Sequence, residues 1–306
     1  MLRNTRRSMM KERIQILILL FCFAGIALAE GRVEKNVVYG MYSGLALLMD
    51  IYYPEKPNGR GVVFVMGSGW HMPLAYGGGG LKDRAANHNS LKTLSEAGYT
   101  VFAINHRAAP RFRYPAAVED AQRAVRFVRH QAKQYGIDPD RIGGVGGSSG
   151  GHLVSLLGTL DGKGDPEDPD AINRESSRLQ CVVALAAPSD LAKIKTETGL
   201  MAVTSFVGVP SILEQKTYRE ASPVTHVSAG DAPFLLIHGD ADRTVPFEQS
   251  ELMEAALKKS GVEVKLIRVP GGGHGGNFEG ATNPPDYLGE TVRWLNRHLG
   301  VSREVR

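Results

Sequence analysis

The fold is decided by a glycine-rich stretch that reads Arg141-Ile142-Gly143-Gly144-Val145-Gly146-Gly147-Ser148-Ser149-Gly150-Gly151-His152-Leu153. In it, an apolar segment typical of a β-strand runs into a Gly-x-Ser-x-Gly motif and then into helix-forming residues. A serine on a sharp strand-to-helix turn has strained backbone angles, and the turn leaves no room for side chains two residues away. Gly146 and Gly150 meet that need around Ser148. The stretch therefore predicts Ser148 as a nucleophile at the end of a strand.

Two other interpretations of this stretch are weaker. A motif centred on Ser149 would use Gly147 and Gly151, but the apolar strand already ends at Gly146. A glycine-rich phosphate-binding loop would carry a lysine that reaches the phosphates, and this stretch has none.

Around this stretch, the chain alternates between two kinds of segment. Short apolar runs bounded by Gly, Pro or Asp predict strands. These runs are Leu45–Tyr53, Val62–Met66, Tyr99–Ile104, Ile142–Gly146, Leu179–Ala187, Phe234–His238 and Val262–Val269. Segments with helical periodicity lie between them: Ser90–Ala97, Pro115–Tyr135, Gly151–Leu160, Phe247–Ser260 and Tyr287–Leu299. The pattern predicts an α/β fold in which helices cover both faces of a mainly parallel central sheet. No linker or repeat divides residues 30–306, which we interpret as one domain.

Three stretches interrupt the alternation. Met72–His88 contains four consecutive glycines, Asp161–Arg178 is rich in Asp and Pro, and Lys193–Arg219 is of mixed character. Loops that follow the carboxyl ends of parallel strands are where ligand sites are built. We interpret Lys193–Arg219 as a candidate cap over such a site, with surface loops of no special role as the alternative for all three.

Composition and charge exclude several classes of protein. The 306 residues are 42% hydrophobic and 22% charged, which is typical of a globular chain. Two cysteines can form at most one disulfide, which excludes a small fold held together by several disulfides. Residues 1–29 hold five bases and one acid, so they carry all of the formal charge of +4, and the rest of the chain is balanced. Nothing therefore predicts a nucleic-acid partner.

The first 29 residues predict a signal peptide. A basic stretch that ends at Arg13 precedes an apolar run, Ile14–Leu28, and Ala27-Leu28-Ala29 fits a cleavage site before Glu30. The alternative is an uncleaved N-terminal anchor. The segment Thr5–Lys11 resembles a twin-arginine signal, whereas translation from Met9 or Met10 would leave an ordinary secretory signal. By either route we expect export to the periplasm or the extracellular space, with no membrane contact after cleavage.

A serine nucleophile needs a base and an orienting acid, which follow it in the order Ser, Asp, His in this kind of fold. Asp240 and Asp242 come just after a predicted strand, and His274 comes just after the next one. Both loops thus lie at the same edge of the sheet as Ser148. Asp242 is further into its loop and can reach the imidazole, whereas Asp240 at the strand end is typical of a turn former. We therefore predict Ser148, Asp242 and His274 as catalytic residues.

These motifs in this order resemble the α/β-hydrolase superfamily, and within it the esterase/lipase branch with carbohydrate-ester and feruloyl-esterase-like bacterial enzymes. The resemblance extends from about Val62 to His298 and rests on the following segments: Gly146–Gly150, His238–Asp242, Gly273–Gly275, Asn105–Pro110, Pro115–Asp120 and Pro188–Leu191. It implies hydrolysis of a carboxylic ester through an acyl-enzyme, with neither a cofactor nor a metal.

One segment departs from the family pattern. Where such esterases carry His-Gly-Gly-Gly-Trp, this chain has Met66-Gly67-Ser68-Gly69-Trp70. An oxyanion hole uses backbone N–H groups, so loss of the histidine side chain need not abolish it. The resemblance assigns one donor to Gly67 or Ser68 and the other to Ser149, and it places Trp70 beside the substrate.

The remaining histidines have plainer interpretations. We expect His152 and His238 to be packed inside the fold, and His71 and His88 to be solvated, with contact to substrate as their alternative. No cluster of His, Cys and acidic residues has metal-ligand spacing, and Cys181 begins an apolar strand as a small core residue.

The sequence thus predicts an exported serine hydrolase of small-molecule or polysaccharide esters with short acyl groups. Two alternatives stay open. A prolyl-oligopeptidase-like peptidase shares this fold and triad order, although the chain lacks room for the usual accessory domain. A catalytically inactive binding protein would account for the altered Met66–Trp70 loop. The oligomeric state is not predicted.

Overall fold

The computed structural model describes residues 32–76 and 79–300. The predicted signal peptide, residues 1–29, therefore lies outside the described residues. Within them, eight strands form one sheet. Their bounds are β1 Val33–Tyr42, β2 Leu45–Tyr52, β3 Gly61–Val65, β4 Thr100–Ile104, β5 Ile142–Gly147, β6 Cys181–Leu185, β7 Phe234–Gly239 and β8 Val264–Val269.

The sheet is mainly parallel, as predicted. Its strand order is β1-β2-β4-β3-β5-β6-β7-β8, in which β1 and β2 are antiparallel to their neighbours and the other pairs are parallel. After β3 the chain places β4 on one side of β3, and then β5 on the other. The order reverses there, and the crevice beyond the carboxyl ends of β3 and β5 is where open α/β sheets bind ligands.

Eight α-helices connect and cover the strands in the described ranges. They are α1 Leu81–Ala85, α2 Asn89–Glu96, α3 Ala116–His130, α4 Ser149–Thr159, α5 Glu197–Val207, α6 Gln215–Glu220, α7 Glu248–Lys259 and α8 Tyr287–His298. None of them is long and apolar enough to cross a lipid bilayer.

The core has two layers, one on each face of the sheet. Val63 and Val65 of β3 pack with residues of α3, α4 and α7, whereas Val62 and Phe64 pack on the opposite face with residues of α2 and α8. Successive side chains of a strand point to opposite faces, so a fully apolar strand such as β3 contributes to both layers. Helices on both faces were predicted, and the structure confirms them.

The structure adds elements that the sequence pattern did not predict. Strand β1 was missed, and so were α1, α5 and α6, the last two lying in the stretch interpreted as a candidate cap. Helix α3 ends at His130 instead of Tyr135, because residues 131–136 form turns that close with Gly136 at φ 64°.

A buried ion pair fixes the loop that supports the site. The Arg107 side chain donates to Oδ1 of Asp120 in α3, from Nη2 at 2.7 Å and from Nε at 2.9 Å. The backbone N–H of Arg107 donates to the other oxygen of the same carboxylate at 2.6 Å. Two residues later, the N–H of Ala109 donates to Trp70 O at 2.8 Å. The segment after β4 thereby holds the end of the loop after β3.

Candidate active site

The turn after β5 has the strained geometry that the sequence predicts. Ser148 adopts φ 52° and ψ −124°, a region that L-residues rarely occupy, and α4 begins at the next residue. A Cβ on Gly146 would collide with the backbone of Gly150, and a Cβ on Gly150 would collide with the carbonyl of Val65. Because both glycines are required by close backbone approach, the turn is centred on Ser148, and Ser149 is the first residue of the helix.

The structure brings the predicted acid and base to this turn. His274, on the loop after β8, has its Nε2 2.9 Å from Ser148 Oγ. Its Nδ1 lies 2.7 Å from Oδ2 of Asp242, which follows β7. With Nδ1–H donating to the carboxylate, the Nε2 lone pair faces the serine hydroxyl. The three side chains, which come from separate strand ends, form one hydrogen-bonded chain.

Asp242 is held as a carboxylate by its surroundings. Its other oxygen, Oδ1, accepts the backbone N–H groups of Thr244 at 2.8 Å and Val245 at 2.9 Å. Burial alone raises the pKa of Asp242, but the ring N–H groups of His238 and His274 outweigh this and hold its pKa below the usual range. The carboxylate is therefore available to orient His274 and to stabilise its cation.

Asp240 and His238 have supporting positions. Asp240 accepts from Arg268 Nε at 2.8 Å and from the backbone N–H of Gly271 at 2.7 Å. These bonds stabilise the start of the loop that carries His274, and neither involves His274 itself. His238 is fully buried: its Nε2 donates to Val245 O at 2.9 Å and lies 3.3 Å from Asp242 Oδ2. His238 packs as expected, and it also touches the acid, which the sequence did not indicate.

The loop after β3 passes very close to Ser148. A Cβ on Gly67 would lie 3.0 Å from Ser148 Cβ and 2.7 Å from Gly147 O. The N–H of Ser68 donates to Ser149 Oγ at 2.9 Å, so this amide is already occupied. Gly67 and Ser68 line the pocket, whereas Ser149 is buried behind it with 1% of its surface exposed. Gly67 is therefore the predicted loop donor that lies nearest to Ser148.

Trp70 reaches the pocket wall, but most of its ring is packed. Only 2% of its surface is exposed, and it stacks on Phe206 of α5 with 4.5 Å between ring centroids. Its Nε1–H donates to Nδ1 of His152 at 3.2 Å, and His152 Nε2–H donates to Ala221 O at 2.7 Å. His152 packs inside the fold, as the sequence predicts, and it anchors the Trp70 end of the loop.

A pocket of about 620 Å³ opens over Ser148 and His274. Helix α5 and neighbouring loops supply an apolar wall, formed by Pro188, Ile194, Ala202, Val203 and Val245. The lining also includes asparagines and His88, whose ring packs on Phe64 with ring centroids 5.3 Å apart. The sequence interpretation of His88 as a solvated residue is wrong, because its ring packs on Phe64 of the central strand β3. His71 is exposed, as expected.

In residues 32–76 and 79–300, no three His, Cys, Asp or Glu side chains are grouped so that they could hold a metal ion. Cys181 is buried in β6, where burial raises the pKa of its thiol, and it is the small core residue that the sequence predicts. What the site offers chemically is an activated serine, a base with an orienting carboxylate, and nearby backbone N–H groups.

Comparison with known proteins gives a consistent result. The family model named BD-FAE matches residues 49–257, which is more than half of the chain. A probable carboxylic ester hydrolase, LipM of Mycobacterium tuberculosis, is 33% identical over 221 residues, which cover 71% of this chain and 50% of the relative. The chain thus spans about half the length of this curated relative.

Solved structures of esterases resemble the fold over nearly their whole length. A truncated carbohydrate esterase from gut microbiota has a TM-score of 0.75 at 28% identity and covers 89% of this chain and 99% of its own. An acetyl ester-xyloside bifunctional hydrolase from Caldicellulosiruptor lactoaceticus has a TM-score of 0.74 at 26% identity, with coverage of 89% and 98%.

Proposed function

This chain belongs to the BD-FAE family within the α/β-hydrolase superfamily, and we propose that it hydrolyses carboxylic esters through an acyl-enzyme on Ser148. The family match and the structural likenesses confirm the predicted fold class. The relatives named above are ester hydrolases, which supports the reaction type. The observation that carries the serine mechanism is the hydrogen-bonded chain from Ser148 Oγ through His274 to Asp242.

The first half of the proposed reaction forms the acyl-enzyme. His274 Nε2 takes the proton of Ser148 as Oγ attacks the ester carbonyl carbon, and Asp242 stabilises the imidazolium that results. The N–H groups of Ser149 and Gly67 would bind the oxyanion, since the Ser68 amide already donates to the Ser149 hydroxyl. The carbon–oxygen bond to the alcohol then breaks, and His274 returns its proton to the departing alcohol oxygen.

The second half releases the acid. Water attacks the acyl carbon while His274 takes one of its protons, and the same N–H groups bind the second oxyanion. Collapse breaks the bond to Ser148, which recovers its proton from His274. Every proton transfer runs between Ser148, His274 and the substrates, so the scheme needs no cofactor.

The acyl group is proposed to be short and to lie along the apolar wall. The whole pocket holds about 620 Å³, and Ile194, Ala202 and Val203 belong to its apolar lining. Carbohydrate esterases among the structural neighbours favour an alcohol that belongs to a sugar or a polysaccharide.

Export remains a proposal that rests on the composition of residues 1–29, with their basic start and apolar run. N-terminal sequencing of the protein recovered from the periplasm or medium of an expressing bacterium tests it. We expect the mature chain to begin at Glu30, whereas an intact N-terminus in the membrane fraction would support an anchor instead.

The test of the activity is hydrolysis of p-nitrophenyl acetate and p-nitrophenyl butyrate by wild type, Ser148→Ala and Ser149→Ala. We expect Ser148→Ala to lower kcat by roughly 10⁴-fold or more, because the nucleophile is lost. Ser149→Ala keeps Ser148 and loses one of the two contacts that hold the loop after β3, while the contact between Trp70 and His152 stays, so most of its turnover should remain. If wild type does not exceed Ser148→Ala with either ester, ester hydrolysis is refuted.

A further inference from the structure

One wall of the active-site pocket carries polar side chains that the proposed mechanism does not use. They are Asn87 and His88 between α1 and α2, Asn89 at the start of α2, and Asn277 on the loop that follows His274. The asparagines are exposed, whereas the ring of His88 is partly buried and fixed by contacts. His88 is therefore the residue of this wall that has a defined orientation.

The hydrogen bonds of His88 determine which ring nitrogen carries its proton. Nδ1 accepts the backbone N–H of Ser90 at 3.2 Å, which caps the start of α2. Nδ1 must therefore hold a lone pair, so the neutral ring carries its hydrogen on Nε2. Burial lowers the pKa of His88, which keeps this neutral form at pH 7. The ring thus presents one N–H donor on the side away from α2.

That donor lies beside the loop of the catalytic base. A Cβ on Gly276 would lie 2.8 Å from His88 Nε2, so the imidazole edge and the Gly276 backbone are in contact. Gly276 is two residues beyond His274 and lines the same pocket. A side chain at position 276 would cover Nε2, whereas with glycine there Nε2 has no hydrogen-bond partner among the described residues, and His88 lines the pocket.

This side of the pocket suits the alcohol half of the ester. The departing alcohol oxygen must accept a proton from His274 Nε2, so it lies on the His274 side of Ser148. The Gly275–Asn277 segment directly follows His274 in the chain and lines the pocket, and His88 contacts this segment at Gly276. The acyl half can then lie against the apolar wall, where Ile194 and Val203 offer no hydrogen bond.

We propose that His88 is a specificity-determining residue whose Nε2–H donates a hydrogen bond to a hydroxyl or ether oxygen in the alcohol part of the substrate. The inference rests on the proposed ester hydrolysis and goes beyond it, since it assigns the recognition of an oxygen-rich alcohol to one side chain. A substrate whose alcohol lacks such an oxygen forms no hydrogen bond with His88.

The test compares two acetate esters with six-membered-ring alcohols, cyclohexyl acetate and a monoacetylated methyl xyloside. The proteins are wild type, His88→Phe, His88→Gln and, as a matched control, His71→Phe at an exposed histidine outside the pocket. Phenylalanine keeps a ring against Phe64 and Gly276 but has no donor, whereas glutamine restores an N–H donor. Thermal unfolding of each variant shows whether loss of the cap on α2 affects the fold.

We expect His88→Phe to lower kcat/KM for the xyloside ester by about fivefold to tenfold, the range of one uncharged hydrogen bond. Its kcat/KM for cyclohexyl acetate should change by less than about twofold. His88→Gln should recover part of the loss, and His71→Phe should match wild type.

Equal losses on both esters, or no loss on either, overturn the assignment. If wild type cleaves p-nitrophenyl acetate but neither ring ester, the alcohol assignment is wrong although the proposed activity stands. If it cleaves none of the three, the activity itself is wrong and the inference falls with it.

Discussion

Part of the destabilisation of this protein by acid should come from the buried side chain of His152. Its side chain has no exposed surface and both ring nitrogens are engaged, with Nε2–H donating to Ala221 O and Nδ1 accepting from Trp70 Nε1–H. A second proton would go to Nδ1, where it would face the indole N–H donor inside the core. Burial accordingly lowers the pKa of His152 from 6.5 to about 4.

The sign and size of the effect follow from this difference in pKa. As the pH falls, the unfolded chain binds the proton near pH 6.5, whereas the folded protein resists it until about pH 4. The contribution to the free energy of unfolding is therefore complete above about pH 6.5 and is lost progressively down to about pH 4. The whole gap corresponds to about 3 kcal/mol, of which about 2 kcal/mol falls between pH 7 and pH 5.

Urea unfolding at pH 7 and pH 5 measures this loss in wild type and in His152→Gln. A glutamine side chain can donate to Ala221 O and accept from Trp70, but it does not titrate. Wild type should lose about 2 kcal/mol more than the variant between the two pH values. The control is His71→Gln, which removes an exposed imidazole and should behave like wild type. Equal pH dependence in wild type and His152→Gln would refute the reasoning.

Two further predictions concern the catalytic machinery. Gly67→Ala should lower kcat on p-nitrophenyl acetate by about 100-fold, because its Cβ would lie 2.7 Å from Gly147 O and push the oxyanion loop away from the nucleophile. The control is Ser68→Ala, which removes a buried hydroxyl that has no partner in the described residues, and its kcat should stay within about threefold of wild type. If Gly67→Ala and Ser68→Ala have comparable kcat values, Gly67 is excluded as the donor. Asp242→Asn should lower kcat by roughly 10⁴-fold with a small change in KM, because the amide no longer fixes the His274 tautomer. A loss below about tenfold would contradict that role for the acid.

The sequence predicts the positions of the site residues best where those positions follow from chain neighbours or from the strand that each residue follows. Ser148 could be predicted because the glycines it needs are its own neighbours at two residues' distance. Asp242 and His274 could be predicted because the carboxyl ends of parallel strands share one edge of the sheet, so position in the chain translates into position in space. The choice of Asp242 over Asp240 used the same logic: in the structure Asp242 lies 2.7 Å from His274 Nδ1, whereas Asp240 accepts from Arg268.

Strand β1 was missed because it lies at the edge of the sheet and has little apolar pattern. Only Tyr39 and Gly40 among its residues are buried, and charged Glu34 and Lys35 break the alternation. A signal was nevertheless present. Ser43 and Gly44 have φ of 46° and 81°, which fits the two-residue turn of a hairpin, and a Ser-Gly pair before an apolar run is a turn signal.

His88 was misjudged because its surroundings come from distant parts of the chain. In the sequence it follows a run of glycines and stands between two asparagines, which indicates a solvated loop. In the fold it packs on Phe64 and against Gly276. Neither contact has a local pattern, so only the three-dimensional structure reveals it. Helix α5 was missed for a different reason: Leu200 and Met201 are apolar but exposed, so they obscure the helical periodicity of the buried residues.

The altered loop after β3 is the main sequence argument for an inactive protein, and the structure weakens it. What an oxyanion loop needs is a backbone close to the attacking group, and Gly67 is so close that an added Cβ would lie 3.0 Å from Ser148 Cβ. Ser68 adds a hydroxyl, yet its amide is held by Ser149 Oγ, which ties the loop to the start of α4. Trp70 is tied to His152 on the same helix. The loop is thus held at two points by the helix that follows Ser148, and a histidine at position 66 is not needed to hold it there.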